Sequence, residues 1–245
     1  MPASSNFQQA IRQAQSSALA GPNVVNKALP YVGGGMVLTA GGVIGGLSLL
    51  SANSALFMPL FWVALISNLV LFFVAQNAAL KGNNATALPL IVLYSLITGY
   101  TLSGLVSYAI GVAGIGSVGT AAFATGITFV IASFTGRRMS DSVGQALGSV
   151  VGLGLVGLVI AMVVQLVGGF FAPQMFLGSS FELVIAGFGT VLFIGAAFVD
   201  FYTMPRNYRD DQYLAGALGM YLTYINLFVF ILRLIIVLQG GSRRD

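Results

Sequence analysis

Apolar residues in this chain run in long, nearly unbroken stretches instead of alternating with polar ones. Seven such stretches cover about 31–50, 56–79, 87–110, 114–135, 146–168, 181–203 and 213–238. Each is close to or above the roughly 20 residues that a helix needs to cross the hydrocarbon layer of a bilayer. Polar residues collect in the short connections, and sequential helices joined so tightly are antiparallel neighbours in one bundle. Pro30, Pro59 and Pro89 fall at or just inside the starts of the first three stretches, where a missing N–H costs nothing, and Pro173 and Pro205 fall in connections. The pattern predicts an all-α integral membrane protein, a seven-transmembrane-helix bundle. Residues 1–29 form a cytoplasmic or interfacial N-terminal segment, 30–240 the transmembrane domain and 241–245 a polar tail.

The first 29 residues contain no apolar core of the kind a secretory signal requires. Phe7, Ile11, Ala14, Ala18 and Leu19 instead recur at helical spacing beside Gln8, Gln9, Arg12 and Gln15. This predicts a helix lying on the membrane surface or, in the alternative, an arm that binds a partner. With the N-terminus inside, the inner loops receive Arg12, Lys27, Lys81, Arg137, Arg138, Arg206 and Arg209, and the outer loops between spans receive no Lys or Arg. An odd number of spans leaves Arg243 and Arg244 on the opposite side. Gly144, Gly148 and Gly152 lie four apart, as do the pairs Gly41/Gly45 and Gly42/Gly46. Small residues at that spacing let helix backbones approach, and packing within the bundle is the expected use.

Composition sharpens the class. Hydrophobic residues make up 57% of the chain and charged ones 7%, far below the quarter or so of a soluble domain, so the bilayer is the solvent. The net charge of +4 is spread over connections, which speaks against nucleic acid. The chain has no Cys and no His, which removes thiolate chemistry, the commonest metal ligand and the usual acid/base at neutral pH. HExxH and GxSxG motifs are missing, and a single intramembrane acid falls short of the pair an aspartyl protease uses. The chain is expected not to be an enzyme and to need no cofactor. Gly114, Gly116 and Gly119 spell GxGxxG, but they join two hydrophobic spans with no strand before them.

An ionisable side chain within a span is costly and therefore a functional candidate. Two stand clearly inside: Asp200 near the inner end of the sixth span, and Arg233 in the seventh toward its outer end. At 1.5 Å per residue they sit roughly 15 Å or more apart in depth, too far for a salt bridge. The inner-face residues Lys81, Gln76, Arg206 and Arg209, with Asn77, lie at a depth similar to that of Asp200. Low dielectric disfavours an isolated carboxylate, so Asp200 is the candidate proton-responsive latch at a cytoplasmic mouth. The alternative is a carboxylate that snorkels to the inner interface. Arg233 is expected to snorkel to the outer headgroups. Tyr221, Thr223 and Asn226 on the last helix are placed on one polar face lining a path, and Arg233 further along the same helix is counted with them as a path-lining residue. Arg137, Arg138 and Asp141 read as an anchored inner loop with Ser140 as N-cap, and Glu182 as a first-turn acid favoured by the helix dipole.

The stretch Gly187 to Asp200 (GFGTVLFIGAAFVD), followed by a charged linker and Tyr221 to Arg233 (YLTYINLFVFILR), resembles the closing two helices of the Bax inhibitor-1 family. Ile97 to Gly104 (ITGYTLSG) is similar to the family's third helix. Ala122 to Asp141, with Thr125, Phe129 and the Arg137/Arg138/Asp141 loop, is similar to its fourth helix and following turn. The likeness spans roughly residues 30–238. It implies seven helices around a central last helix and a pH-sensitive calcium leak, closed on the inner side by two aspartates that bind a proton or cation. Asp200 matches the first. The second belongs in a Tyr-Leu-Asp-x-Ile-Asn pattern, where this chain has Thr223. A hydroxyl cannot share a proton as a second carboxylate does, and one Asp is a weak contact for calcium, which takes about six to eight oxygens.

Two functions follow from these residues and the resemblance. One is a pH-sensitive cation leak gated at Asp200, with calcium or protons as its ions. The other is a non-conducting accessory protein that binds a larger membrane complex, as some relatives bind an FtsH-type protease. The resemblance implies a bacterial plasma membrane, or the thylakoid if the cyanobacterial likeness of the stretch before Tyr31 holds.

Overall fold

In the computed structural model the described residues are 19–172, 174 and 178–241. The amphipathic stretch around Phe7 and Ile11, Pro173 and the tail arginines Arg243 and Arg244 lie outside them. Among the described residues the chain is helical without strands: α1 Val24–Ala52, α2 Ser54–Leu80, α3 Asn84–Ala113, α4 Ile115–Thr135, α5 Asp141–Phe171, α6 Ser179–Asn207 and α7 Tyr213–Gly241. All seven are long and apolar enough to cross a membrane.

Five of the seven helices start earlier than the apolar runs suggest. α1 begins at Val24, six residues ahead of the expected domain boundary, and Pro30, Pro59 and Pro89, expected at or just inside the helix starts, fall within the first two turns. Pro205, expected in a connection, sits inside the last turn of α6. The physical reason is that polar residues just outside an apolar run still form helix. Asn53 and Asn83 accept hydrogen bonds from the Leu56 and Thr86 amides and so cap α2 and α3 ahead of their prolines. Gly114 joins α3 to α4 with φ of 76°, a conformation that side chains resist. This gives the apparent dinucleotide motif a plain structural use. Ser140 does occupy the N-cap of α5, but its hydroxyl meets Ser142 and caps no amide.

α7 is the central helix, packed against α1, α2, α3, α4 and α6, while α5 leans on α6. Tyr221, Leu214, Leu218, Leu227 and Leu232 on α7 are among the most deeply buried side chains. Outward rows on α2 (Trp62, Ile66, Leu69, Phe73) and α5 (Val150, Leu153, Leu166, Phe170) are exposed instead, with Leu153 at 76%. A large aliphatic side chain so open is at home only against lipid.

Lipid tails are as apolar as leucine, so close backbone contact, not hydrophobic expulsion, holds such helices together. The tightest seam is α1 against α3. Gly42 meets Gly99 and the Leu96 carbonyl, and Gly46 meets Ser103. Of the expected glycine faces, Gly42/Gly46 packs inside the bundle, whereas Gly41 and Gly45 border open space. On α5, Gly144 and Gly148 rest on Tyr202 and Val199 of α6, but Gly152 meets nothing.

One end of the bundle gathers the basic loops. The Asn84 side chain donates to the Asp211 carbonyl, Gln212 donates to the Leu80 carbonyl, Arg137 donates to Asn26, and the Gly21 amide donates to the Pro205 carbonyl. The start of α1, the α2–α3 loop, the turn before α5 and the α6–α7 linker thus share a single face. This is the face that the Lys and Arg distribution places inside.

Candidate functional site

Asp200 lies seven residues before the end of α6, roughly 10 Å along the helix axis from it. There α6 packs on α7, and the Thr223 side chain comes within hydrogen-bonding reach of the carboxyl group. Asp200 as a residue keeps partial exposure, yet its Oδ2 atom is sealed from solvent and has no hydrogen-bond partner. Gln76 Oε1 on α2 is in the same condition. Tyr208, the first residue after α6, bonds Gln76 and lies within electrostatic reach of the Asp200 carboxyl. Burial first, and then the Asp200 carboxylate, push its phenol above the ordinary tyrosine value, against the Gln76 hydrogen bond.

Of the cations expected around Asp200, Arg206 and Arg209 are engaged elsewhere and Lys81 is exposed, and among the described residues no ion pair joins Asp200 to any of the three. Arg206 bonds Asp141 at 3.0 Å and stacks on the Tyr202 ring at 4.0 Å. Arg209 forms a two-pronged pair with Asp211, its neighbour in the linker. Gln76 is the one inner-face residue of the expected set that shares the neighbourhood, through Tyr208. Arg137 bonds Asn26 and covers the Phe201 ring, and Arg138 is exposed beside it. Among the described residues no three acidic side chains come together, and the side-chain partner within hydrogen-bonding reach of the Asp200 carboxyl is the Thr223 hydroxyl.

The expectation that Tyr221, Thr223 and Asn226 form one polar face is corrected. Two residues along a helix is a turn of about 200°, and the structure places Thr223 toward α6 and Tyr221 toward α1 and α3. The Tyr221 hydroxyl lies 2.5 Å from Thr39 Oγ1, which also donates to the Gly35 carbonyl. Ser95 and Thr98 border the same hydroxyl, the Tyr94 ring meets Tyr221 edge-on at 5.8 Å, and Asn68 donates to Thr98 Oγ1 at 2.9 Å. Asn226 is spent on its own helix, donating to the Leu222 carbonyl. This hydroxyl cluster was missed because Thr and Ser are common in membrane helices. Its one sequence signal is the three-residue spacing of Ser95 and Thr98 on α3.

Arg233 is corrected as well. It does not reach for headgroups but grips Glu182 of α6 with two prongs, Nε–Oε1 at 2.6 Å and Nη2–Oε2 at 2.8 Å. Gln165 of α5 closes the triad, donating to Glu182 Oε2 at 2.9 Å and accepting from Arg233. Glu182 is thus the partner of the intramembrane arginine, not only a first-turn acid. The side chains are 17% and 23% exposed, which removes most of the water that would weaken them.

Comparison with known proteins agrees with this architecture. A family model described as "Inhibitor of apoptosis-promoting Bax1" matches residues 21–241. The chain is 32% identical over 184 residues to an uncharacterised membrane protein of Streptococcus pyogenes serotype M1, covering 71% of this chain and 73% of that one. It is 29% identical over 199 residues to a protein of Lactococcus lactis named YrjE, covering 78% and 77%. A shorter match, 34% over 61 residues, joins it to Bax inhibitor 1 of Schizosaccharomyces pombe, covering 25% and 23%. With seven apolar helices around a central last one and a family match over nearly all of them, the chain belongs to the Bax inhibitor-1 family of multi-pass integral membrane proteins.

Proposed function

We propose that the protein is a proton-responsive cation leak whose inner side is held by Asp200 against Thr223 of the central helix. The observation that carries this reading is the sealed, unpartnered Oδ2 atom of Asp200, with no cation paired to it among the described residues. An ionised carboxylate there is an uncompensated charge that costs several kcal/mol and can only accept hydrogen bonds. A protonated one is neutral and can donate to Thr223. Proton exchange therefore changes both the charge and the bonding sense at the α6–α7 seam, which makes that seam a two-state element. With one carboxyl and one hydroxyl, the site suits a proton better than a resident calcium ion, which wants many oxygens. Calcium enters as the permeant ion, by resemblance to the family.

The test is flux of calcium into dye-loaded proteoliposomes between about pH 6 and pH 8, for the native chain and Asp200→Asn. The native chain is expected to conduct with a rate that changes with pH, and the Asn variant to conduct at one pH-independent rate. Absence of flux from the native chain at every pH overturns the leak and leaves the accessory role. Equal pH profiles for the two proteins overturn Asp200 as the responsive group.

A further inference from the structure

The α6–α7 linker does more than connect two helices. Its first residue, Tyr208, is half-buried, bonds the Gln76 side chain and lies within electrostatic reach of the Asp200 carboxyl. It packs against both of the apolar clusters that flank α7. Whatever fixes the linker backbone therefore fixes the cover over the sealed carboxyl.

The residues that fix it come from the far end of the sequence. The Gly21 amide donates to the Pro205 carbonyl at 3.1 Å. Its Cα is pressed so close to the linker that a Cβ there would lie 2.5 Å from the Tyr208 carbonyl oxygen and 2.8 Å from the Asp210 nitrogen. Backbone on both sides cannot yield as a flexible side chain does. Two residues on, Asn23 grips the Asp210 carboxylate twice, amide to Oδ1 at 3.0 Å and side-chain Nδ2 to Oδ2 at 3.1 Å. Lys27 adds an ion pair at 3.6 Å. Asp210 thereby places a negative charge at the N-terminus of α1, where the helix dipole and free amides favour it.

We propose that Tyr208 is the lid of the Asp200 site and that Gly21 and Asn23, clasped to Asp210, hold it shut. The consequence for conduction rests on the reading of Asp200 given above. The lid itself concerns only access of water-borne molecules to the carboxyl, and is tested without measuring flux. The natural chain has no Cys, so a thiol pair introduced as Asn23→Cys with Asp210→Cys has no competitor and can replace the clasp by a disulfide.

The experiment uses the full chain in nanodiscs, a water-soluble carbodiimide with an amine nucleophile as the probe, and peptide mass spectrometry to read labelling at each carboxyl. In the native chain Asp211, which is exposed, is expected to label readily and Asp200 to resist. Tyr208→Ala is expected to raise the Asp200 rate by about tenfold or more, as expected when a buried group gains a local opening. The double-Cys chain should match the native rate when oxidised and rise by a similar factor when reduced. Because these last two states share one folded chain, a misfolded variant cannot imitate the difference. An Asp200 rate unchanged by Tyr208→Ala overturns the lid, and equal rates in the oxidised and reduced chains overturn the clasp. Both results leave the leak reading standing, since flux can fail or succeed independently of either.

Discussion

Replacing Arg233 by Met keeps the volume and apolar stem of the side chain but strands Glu182. The guanidinium gives Glu182 two charge-assisted hydrogen bonds, each of a type that contributes about 1.5–3 kcal/mol. Removing one member of a fully buried pair costs about 3–5 kcal/mol because the other charge is left uncompensated. Here about a fifth of each side chain remains exposed, and Gln165 still donates to Glu182, so water and the amide take up part of the charge. The expected loss for Arg233→Met is about 2–3 kcal/mol, at or just below the lower limit of the buried-pair range. Glu182→Met, which strands the cation over the Phe230 ring, should cost about 1–2 kcal/mol, the ring offering some compensation. The double Met variant leaves no stranded charge, and its loss should be under about 1 kcal/mol, as apolar replacement of buried ion pairs commonly is near neutral. Reversible unfolding in mixed micelles measures all four proteins. Losses that add to within about 0.5 kcal/mol would show the two side chains to be energetically independent and refute the pairing argument.

Three further outcomes follow from particular contacts. Gly99→Ala drives a methyl group into the Thr39 carbonyl across the α1–α3 seam and should cost about 1–3 kcal/mol, whereas Gly41→Ala, bordering open space, should cost nothing or stabilise; the same unfolding assay compares them. Tyr221→Phe removes the hydroxyl bonded to Thr39, which keeps its bond to the Gly35 carbonyl, so the loss should be about 1 kcal/mol with the carbodiimide rate at Asp200 unaltered, the two sites lying on opposite sides of α7. Partial desolvation works against ionisation of Asp210, but the Asn23 donors and Lys27 outweigh it and hold its carboxyl below the ordinary value of 3.8. A depressed folded value means the stabilisation is complete above that ordinary value and is lost only as pH falls through the lower one. Protection of the Asn23 amide from hydrogen exchange, corrected for the intrinsic exchange rate, should therefore be flat between about pH 5 and pH 8 and collapse only in stronger acid.

The bundle was legible in the sequence because membrane burial writes itself into long runs. Twenty apolar residues in a row admit one structure in hydrocarbon, since every amide must find its partner within the segment. Boundaries were less legible: Val24 to Leu29 ahead of Pro30, and Met204 to Asn207 around Pro205, are helical because of caps and tertiary contacts that hydropathy does not register. Asp200 as an isolated intramembrane acid was readable for the same reason as the spans. Its surroundings were not, because Thr223 and Tyr208 come to it from different segments, Gln76 joins only through Tyr208, and all depend on how each helix is rotated. Rotation is what an all-apolar helix conceals: with lipid on one side and protein on the other, both faces read alike, and only contacts such as Gly42 on Gly99 fix the angle.

The same concealment explains why the partner of Arg233 was missed. Depth along the axis could be counted, and counting correctly separated Asp200 from Arg233, but it ranked partners by depth only among residues already taken as intramembrane. Glu182 was set aside as a helix-start acid because α6 begins just before it. In fact that position puts it at the same end of the bundle as the outer turns of α7, where Arg233 is found. Two acids on one helix, 18 residues apart, thus end in opposite electrostatic conditions. Glu182 has its countercharge at hydrogen-bond distance from α7, while α7 offers Asp200 only a hydroxyl. A helix that satisfies one of its acids and withholds a cation from the other cannot treat them alike. Removing a proton adds an uncompensated charge at Asp200, whereas at Glu182 the charge is already met by the guanidinium. On the proposed leak reading, this asymmetry assigns the proton response to the inner seam of α6 and α7 and leaves the outer seam, with its charges paired, unresponsive.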